Sequence, residues 1–153
     1  MTTSRDRLTL HAPGFGSFTS FGSLALPSEL NRLAALNSTA TYSGQIVGVV
    51  NNGGTQGFAT GSYSNTWRFG PRNGIATITF DNTTYGGGST PNTFQVGRSP
   101  LFTSTTPLSS TSGRTAEVIG VFQSNNQSAS TQAGAVIVNG TNYKGVGLFS
   151  ANR

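Results

Sequence analysis

Cysteine is absent from this chain of 153 residues, which excludes a disulfide framework, a thiolate metal site and a cysteine nucleophile. Charge is scarce too: charged residues make up 8% of the chain, and the only acids are Asp6, Glu29, Asp81 and Glu117. The formal charge of +5 therefore reflects missing acids more than abundant bases. The basic residues are scattered, with Arg5/Arg7 and Arg68/Arg72 the nearest to clusters. No basic patch interleaved with aromatics marks a nucleic-acid binder, so a solvated surface is the expectation. A single histidine, His11, and four dispersed carboxylates offer no ligand set for a metal, and no cofactor is expected. No apolar run is long enough for a membrane-crossing helix. Residues 1–10 carry Arg5, Asp6 and Arg7 where a secretion signal has its apolar stretch, so either the start is cytoplasmic or an export signal lies outside this sequence.

What the chain does have is Gly, Ser, Thr, Asn and Gln in quantity, with 10 Phe, 4 Tyr and 1 Trp spread along its length. Disordered chains are poor in aromatics and rich in net charge, so this composition points to a folded protein, and its length to one domain's worth of core. In the run 143–149, Tyr143 is followed at alternate positions by Gly145, Gly147 and Phe149; in 42–48, Tyr42 is followed by Gly44, Ile46 and Gly48. Alternate strand positions share a face, and an aromatic-plus-glycine stripe suits the inner wall of a tightly curved barrel.

Strands are expected over 41–50, 56–64, 66–69, 74–80, 115–123, 133–138 and 142–150, with a further pair at 93–96 and 101–104. Asn51-Asn52-Gly53-Gly54 is a strong hairpin turn, and Asn139-Gly140 is expected to join the last two strands. The one helix expected follows Pro27, with Ser28 as N-cap, Glu29 in the first turn and Leu30, Leu33 and Ala34 on one face, covering an end of the barrel. Phe15, Phe18 and Phe21 are spaced by three, which fits neither strand nor helix and predicts an extended arm. The fold class is thus all-β: a small antiparallel barrel of about eight strands (40–153), preceded by an N-terminal arm and one short helix (1–39). Thr, Ser and Gln on the second face of many strands argue against a barrel embedded in a membrane.

The ordered set Ala40-Thr41-Tyr42-Ser43-Gly44, Phe69-Gly70-x-Arg72-x-Gly74, Ile78-x-Phe80-Asp81, Gly113-x-x-Ala116-Glu117-x-x-Gly120-x-Phe122 and Gly145-x-Gly147-x-Phe149-x-Ala151-x-Arg153 resembles the C-terminal barrel of transferrin-binding-protein-B-like surface lipoproteins. Related barrels occur in factor-H-binding and haemophilin-like proteins. The resemblance covers about three quarters of the chain and implies an eight-stranded antiparallel barrel at a bacterial cell surface, or secreted, that binds a host protein or a haem-related ligand. Neither the lipobox cysteine nor the signal sequence of those lipoproteins is visible within these residues, so the resemblance does not carry over their membrane anchoring.

No catalytic residue is expected: His11 and Asp6 have serines everywhere around them, but no Gly-x-Ser-x-Gly elbow leads into a helix. Gly86-Gly87-Gly88 lacks the Lys and following helix of a phosphate loop and reads as a turn. The candidate binding element is the run 67–72, because Trp67, Arg68 and Arg72 are of the residue types enriched at binding hot spots. Its structural alternative has Trp67 in the core and Arg72 paired with Glu117 or Asp81. Tyr85 opens a flexible loop, 85–91, that is expected to supply contacts together with 123–132. Glu117, inside an apolar strand, reads as a paired structural carboxylate.

The leading expectation is a non-enzymatic binding module with a protein partner, no nucleic acid and no transmembrane span. A self-assembling subunit of a filament, adhesin or coat, packing through Phe15, Phe18 and Phe21, is the rival, and a small hydrolase is a weaker alternative. A ligand inside the barrel would need gaps left by Gly44, Gly48, Gly145 and Gly147, whereas small barrels are filled by their own side chains.

Overall fold

The structure is a computed structural model and describes residues 6–12, 16–87, 92–96, 100–104, 106–125 and 127–153. In chain order these form β1 (Asp6–Ala12), β2 (Gly16–Gly22), α1 (Pro27–Ala35), β3 (Thr39–Asn52), β4 (Thr55–Arg68), β5 (Asn73–Phe80), β6 (Thr83–Gly86), β7 (Asn92–Val96), β8 (Leu101–Ser104), β9 (Leu108–Ser109), β10 (Thr115–Gln123), β11 (Thr131–Gly140) and β12 (Tyr143–Asn152). The antiparallel pairings β10-β11-β12-β3-β4-β5-β7-β8 return to β10, which closes an eight-stranded barrel. Two short strands lie beside this circuit, β6 against β5 and β9 against β10. No helix among the described residues is long and apolar enough to cross a membrane.

Alternation fills the interior as expected from the sequence. Tyr42 and Ile46 of β3, Tyr63 and Trp67 of β4, Ile78 and Phe80 of β5, Phe122 of β10 and Phe149 of β12 are buried. Gly48 faces Gly147 across the β12–β3 ladder, and Gly44 faces Ala151. A Cβ on Gly48 would meet the Val146 carbonyl oxygen and lie 2.6 Å from the Gly147 Cα, so the two strands coil together only because both residues lack side chains. The space beside Gly145 and Gly147 is not a ligand cavity. The Phe80 ring occupies it, reaching 3.0 Å from where a Gly145 Cβ would stand and 3.1 Å from that of Gly147.

Several sequence expectations are corrected. The two strands expected over 56–64 and 66–69 are the single strand β4, because Asn65 points inward and bonds Tyr63 and Gln132 instead of making a turn. The segment after Phe80 folds back as β6, since Asp81 and Asn82 both take positive φ (49° and 56°) in a two-residue connection. Tyr85 therefore sits in a strand and not in a loop. The last hairpin turns at Thr141-Asn142, with Gly140 paired to Tyr143. The helix N-cap is Leu26 and not Ser28, because Pro27, with its fixed φ, takes the first helical position.

The N-terminal arm folds back on itself as the two-stranded sheet β1–β2, with Leu10 opposite Phe18 and Arg7 opposite Phe21. The backbone of residues 16–22 thus pairs with that of residues 6–12, in place of the extended arm expected from the three-residue spacing. Phe15 lies outside the described residues, as do the side chains of Phe18 and Phe21 and most of the expected loop 85–91.

Candidate functional site

The end of the barrel that carries α1 is built differently from the other end. Beneath it Phe122 is an aromatic hub, with ring centroids 5.1 Å from Trp67, 5.1 Å from Phe102, 5.7 Å from Phe69 and 5.9 Å from Tyr42. Above the hub α1 lies as a cover, with Leu33 in the core and Leu30 and Ala34 packed against it. The segment leading into α1 is pinned to the end of β10: Ala25 N–H donates to the Phe122 carbonyl at 2.9 Å, and Ser124 N–H to that of Ser23 at 2.8 Å.

Loop 124–130, between β10 and β11, is held by polar bonds to this frame. The Glu29 carboxylate accepts the Leu26 N–H at 2.7 Å, the Ser124 hydroxyl at 2.9 Å and the Ser128 hydroxyl at 3.2 Å, so one side chain caps the helix and anchors the loop. From below, the buried Tyr42 hydroxyl donates to the Ala129 carbonyl at 2.6 Å. Burial pushes the Tyr42 hydroxyl well above the ordinary tyrosine range, opposed in part by the positive charge of Arg153. Within the loop, Ser124 Oγ accepts from Ala129 N–H at 3.0 Å, and Ser130 Oγ accepts from Asn125 N–H at 2.9 Å. Ala129 takes a positive φ of 49° to allow this tight course.

Beside the loop opens a cleft of about 350 Å³ lined by Asn125, Gln127, Ser130, Thr131, Asn152 and Arg153. Thr131 donates to Asn152 Oδ1 at 2.8 Å, and Arg153 donates to the Ser128 carbonyl at 2.8 Å. Arg32 of α1 reaches the Ser128 hydroxyl at 3.1 Å, so two arginines from distant parts of the chain converge on Ser128.

The residues singled out in the sequence separate into two groups. Trp67 is 1% exposed and Tyr85 is fully buried, so neither offers a surface contact; the structural alternative holds for Trp67. Arg68 and Arg72 are exposed near α1. Arg68 donates to Asn73 at 2.9 Å and Arg72 to Asn31 at 3.3 Å. The expected pairing of Arg72 with Glu117 or Asp81 is not made, because residue 72 lies at the α1 end, whereas Asp81 meets Arg114 at 3.8 Å at the other end. Glu117 is exposed on the outer face of β10, without an ion-pair partner among the described residues, which corrects its reading as a paired carboxylate. Among the described residues no three His, Cys, Asp or Glu side chains gather as a metal site.

The sequence marks the loop 123–132 but not Glu29, Asn152, Arg32 or Arg153 as parts of one site with it. Only a long-range fold brings them together, and each is an ordinary residue in its local context.

Comparisons with known proteins bear on the fold. No family model matches the chain, and no curated protein matches it in sequence. A search of solved structures finds similarity to the isotype 1 transferrin-binding protein B from serogroup B Neisseria meningitidis, with a TM-score of 0.60 and 15% identity over 96% of this chain. The match spans 34% of that protein's chain, so this protein has the barrel of a transferrin-binding-protein-B-like fold and about a third of the length.

Proposed function

We propose that this protein is a non-enzymatic binding module, displayed at a bacterial cell surface or secreted, which engages a protein partner through the α1 end of its barrel. The observation that carries the reading is the construction of loop 124–130: Glu29, Tyr42 and the serines fix its backbone, leaving Asn125 and Gln127 exposed beside the cleft. A rigid scaffold that presents an ordered polar loop is the usual architecture of a recognition surface. A solved structure with this fold is named for binding transferrin, and that name supports a binding role in kind.

The test is capture from serum by immobilised protein. Arg72→Glu at this end should abolish retention of the partner, and Lys144→Glu at the far end should leave it intact. Equal retention by both variants would refute the placement of the binding face.

A self-assembling subunit remains the second reading, favoured by one observation. On the outer wall Phe58 of β4, paired with Val49 of β3, is 93% exposed, and Val47 of β3 is 60% exposed. Light scattering over a range of concentrations decides between them, since a monomer at all concentrations excludes the subunit.

A further inference from the structure

The charge balance at the α1 end identifies the kind of ligand the cleft takes. Arg32, Arg68, Arg72 and Arg153 are all exposed there, and each is oriented by a neutral acceptor: Ser128 Oγ, Asn73 Oδ1, Asn31 Oδ1 and the Ser128 carbonyl. The carboxylate at this end, Glu29, has its oxygens taken by Leu26 N–H and the hydroxyls of Ser124 and Ser128. Among the described residues the one ion pair, Arg114–Asp81, is at the opposite end. The arginines are thus held in place without a direct ion pair among the described residues, and the four outnumber the one carboxylate described there, an arrangement that attracts an anion and pre-aligns the donors that receive it.

The cleft wall narrows the choice. Its side chains are three carboxamides (Asn125, Gln127, Asn152), two hydroxyls (Ser130, Thr131) and one guanidinium (Arg153), with no aromatic ring, no wholly apolar side chain and no side-chain carboxylate. A haem macrocycle needs an apolar slot and finds none here. A volume of about 350 Å³ corresponds to roughly a dozen water molecules, on the scale of one substituted sugar ring. The Thr131 hydroxyl occupies Asn152 Oδ1, whereas the Asn152 amide and the Gln127 carboxamide make no hydrogen bond to other described residues. Sugar hydroxyls, which donate and accept, match such carboxamides, and a carboxylate matches the arginine fork.

We infer that this cleft binds a carboxylate-bearing sugar, with the carboxylate on Arg153, Arg32 reinforcing the positive edge at Ser128, and the sugar hydroxyls on Asn125, Gln127 and Asn152. This inference rests on the reading of the α1 end as the binding face. It adds the chemistry of the group that enters the cleft, either free or as part of a glycan on a partner protein.

The test uses the full chain labelled with ¹⁵N and titrated with sialyllactose, with neutral lactose and with triglutamate. Sialyllactose should shift the side-chain amides of Asn125, Gln127 and Asn152 saturably, with lactose at least tenfold weaker. Arg153→Gln should weaken binding at least tenfold, Arg32→Gln about threefold, and Lys144→Gln not at all. Should Arg153→Gln fail to fold, Arg153→Lys, which retains charge and loses the fork, should still weaken binding severalfold.

Equal binding of lactose, no saturable shift at the cleft, or tighter binding of triglutamate at the same residues would each overturn the inference; the last result would assign the cleft to an acidic peptide. Serum capture that stays sensitive to Arg72→Glu while sialyllactose fails would leave the binding face standing and remove only the sugar. Loss of both effects would remove the face as well. Where sialyllactose binds, capture that disappears after sialidase treatment of the serum identifies a protein-borne glycan as the source, and capture that persists shows the partner is held by other contacts, with the cleft taking the free sugar.

Discussion

At one end of the barrel the strands reverse in two residues; at the other they pass through a helix and loop 124–130. The turn end closes with residues in left-handed backbone: Gly53 and Gly54 between β3 and β4, Asp81 and Asn82 between β5 and β6, and Asn142 before β12. Its side chains make one compact group, in which Arg114 stacks 3.6 Å above the Tyr143 ring and the Tyr143 hydroxyl donates to Asp81 at 2.8 Å. The α1 end keeps its shape instead through an aromatic hub below and a Glu29-centred set of bonds above. Backbone geometry at the turn end leaves little room for new side chains, whereas a loop held by its serines can change the residues between them without changing course. That difference is why we place the proposed recognition surface at the α1 end.

The comparison is most strongly tested by alkali. Burial holds the Tyr42 and Tyr63 hydroxyls well above the tyrosine range, and burial with the Asp81 charge does the same for Tyr143. A folded-state pKa above the unfolded value gives stability that is complete below about pH 10 and lost as pH rises above it. Tyr42 and Tyr63 should each subtract up to about 1.4 kcal/mol per pH unit in that window. Denaturant midpoints should therefore be flat near neutrality and fall steeply above about pH 10. Tyr42→Phe should flatten the alkaline slope and free loop 124–130, and Tyr143→Phe should flatten it without touching that loop.

Phe122→Ala comes next. It removes a ring that contacts four other aromatics beneath α1, and should cost about 3–5 kcal/mol in urea denaturation. A loss below about 1 kcal/mol would mean that the hub is not what supports the helix end. Glu29→Gln should cost about 1–2 kcal/mol and raise amide exchange through 124–130. Asp81→Asn, at the half-exposed pair of the turn end, should cost no more than about 1 kcal/mol and leave exchange in that loop unchanged. The smallest effect is expected from Glu117→Ala, within about 0.5 kcal/mol, because the side chain is exposed and unpaired among the described residues.

Which features were legible in the sequence follows from the range of the forces involved. The Gly53-Gly54 hairpin, the strands over 74–80 and 115–123 and the glycine-aromatic stripes are local signals of turn chemistry and alternation, and the structure has them all. The strand break between 64 and 66 is absent because Asn65 faces inward and bonds the distant Gln132, which no local signal discloses. Glu117 misled because an apolar run hides which face a residue takes, and its outward face was set by the alternation of Ala116, Val118 and Gly120. The cleft was legible as a loop and illegible as a site, since Arg32, Ser128 and Arg153 are joined only once α1 covers the barrel.

The pairing around the barrel is uneven, and this has a kinetic consequence. Among the described residues β3 and β4 run together from Thr39↔Arg68 to Asn52↔Thr55, whereas β5 meets β7 at Asn73↔Thr93 and Gly74↔Asn92, and β7 meets β8 over Phe94 to Val96. The circuit is a broad, well-stitched sheet closed along a brief seam. On these described pairings the seam is where the cylinder should unfasten first, and its amides should lose protection from exchange before those of the six-stranded remainder. Unfastened, that remainder would show its aromatic lining to solvent beside two raw strand edges, an intermediate prone to pairing with its own kind. Brief closure at β7 and β8 thus makes the shelf life of the folded protein depend on its least populated strands.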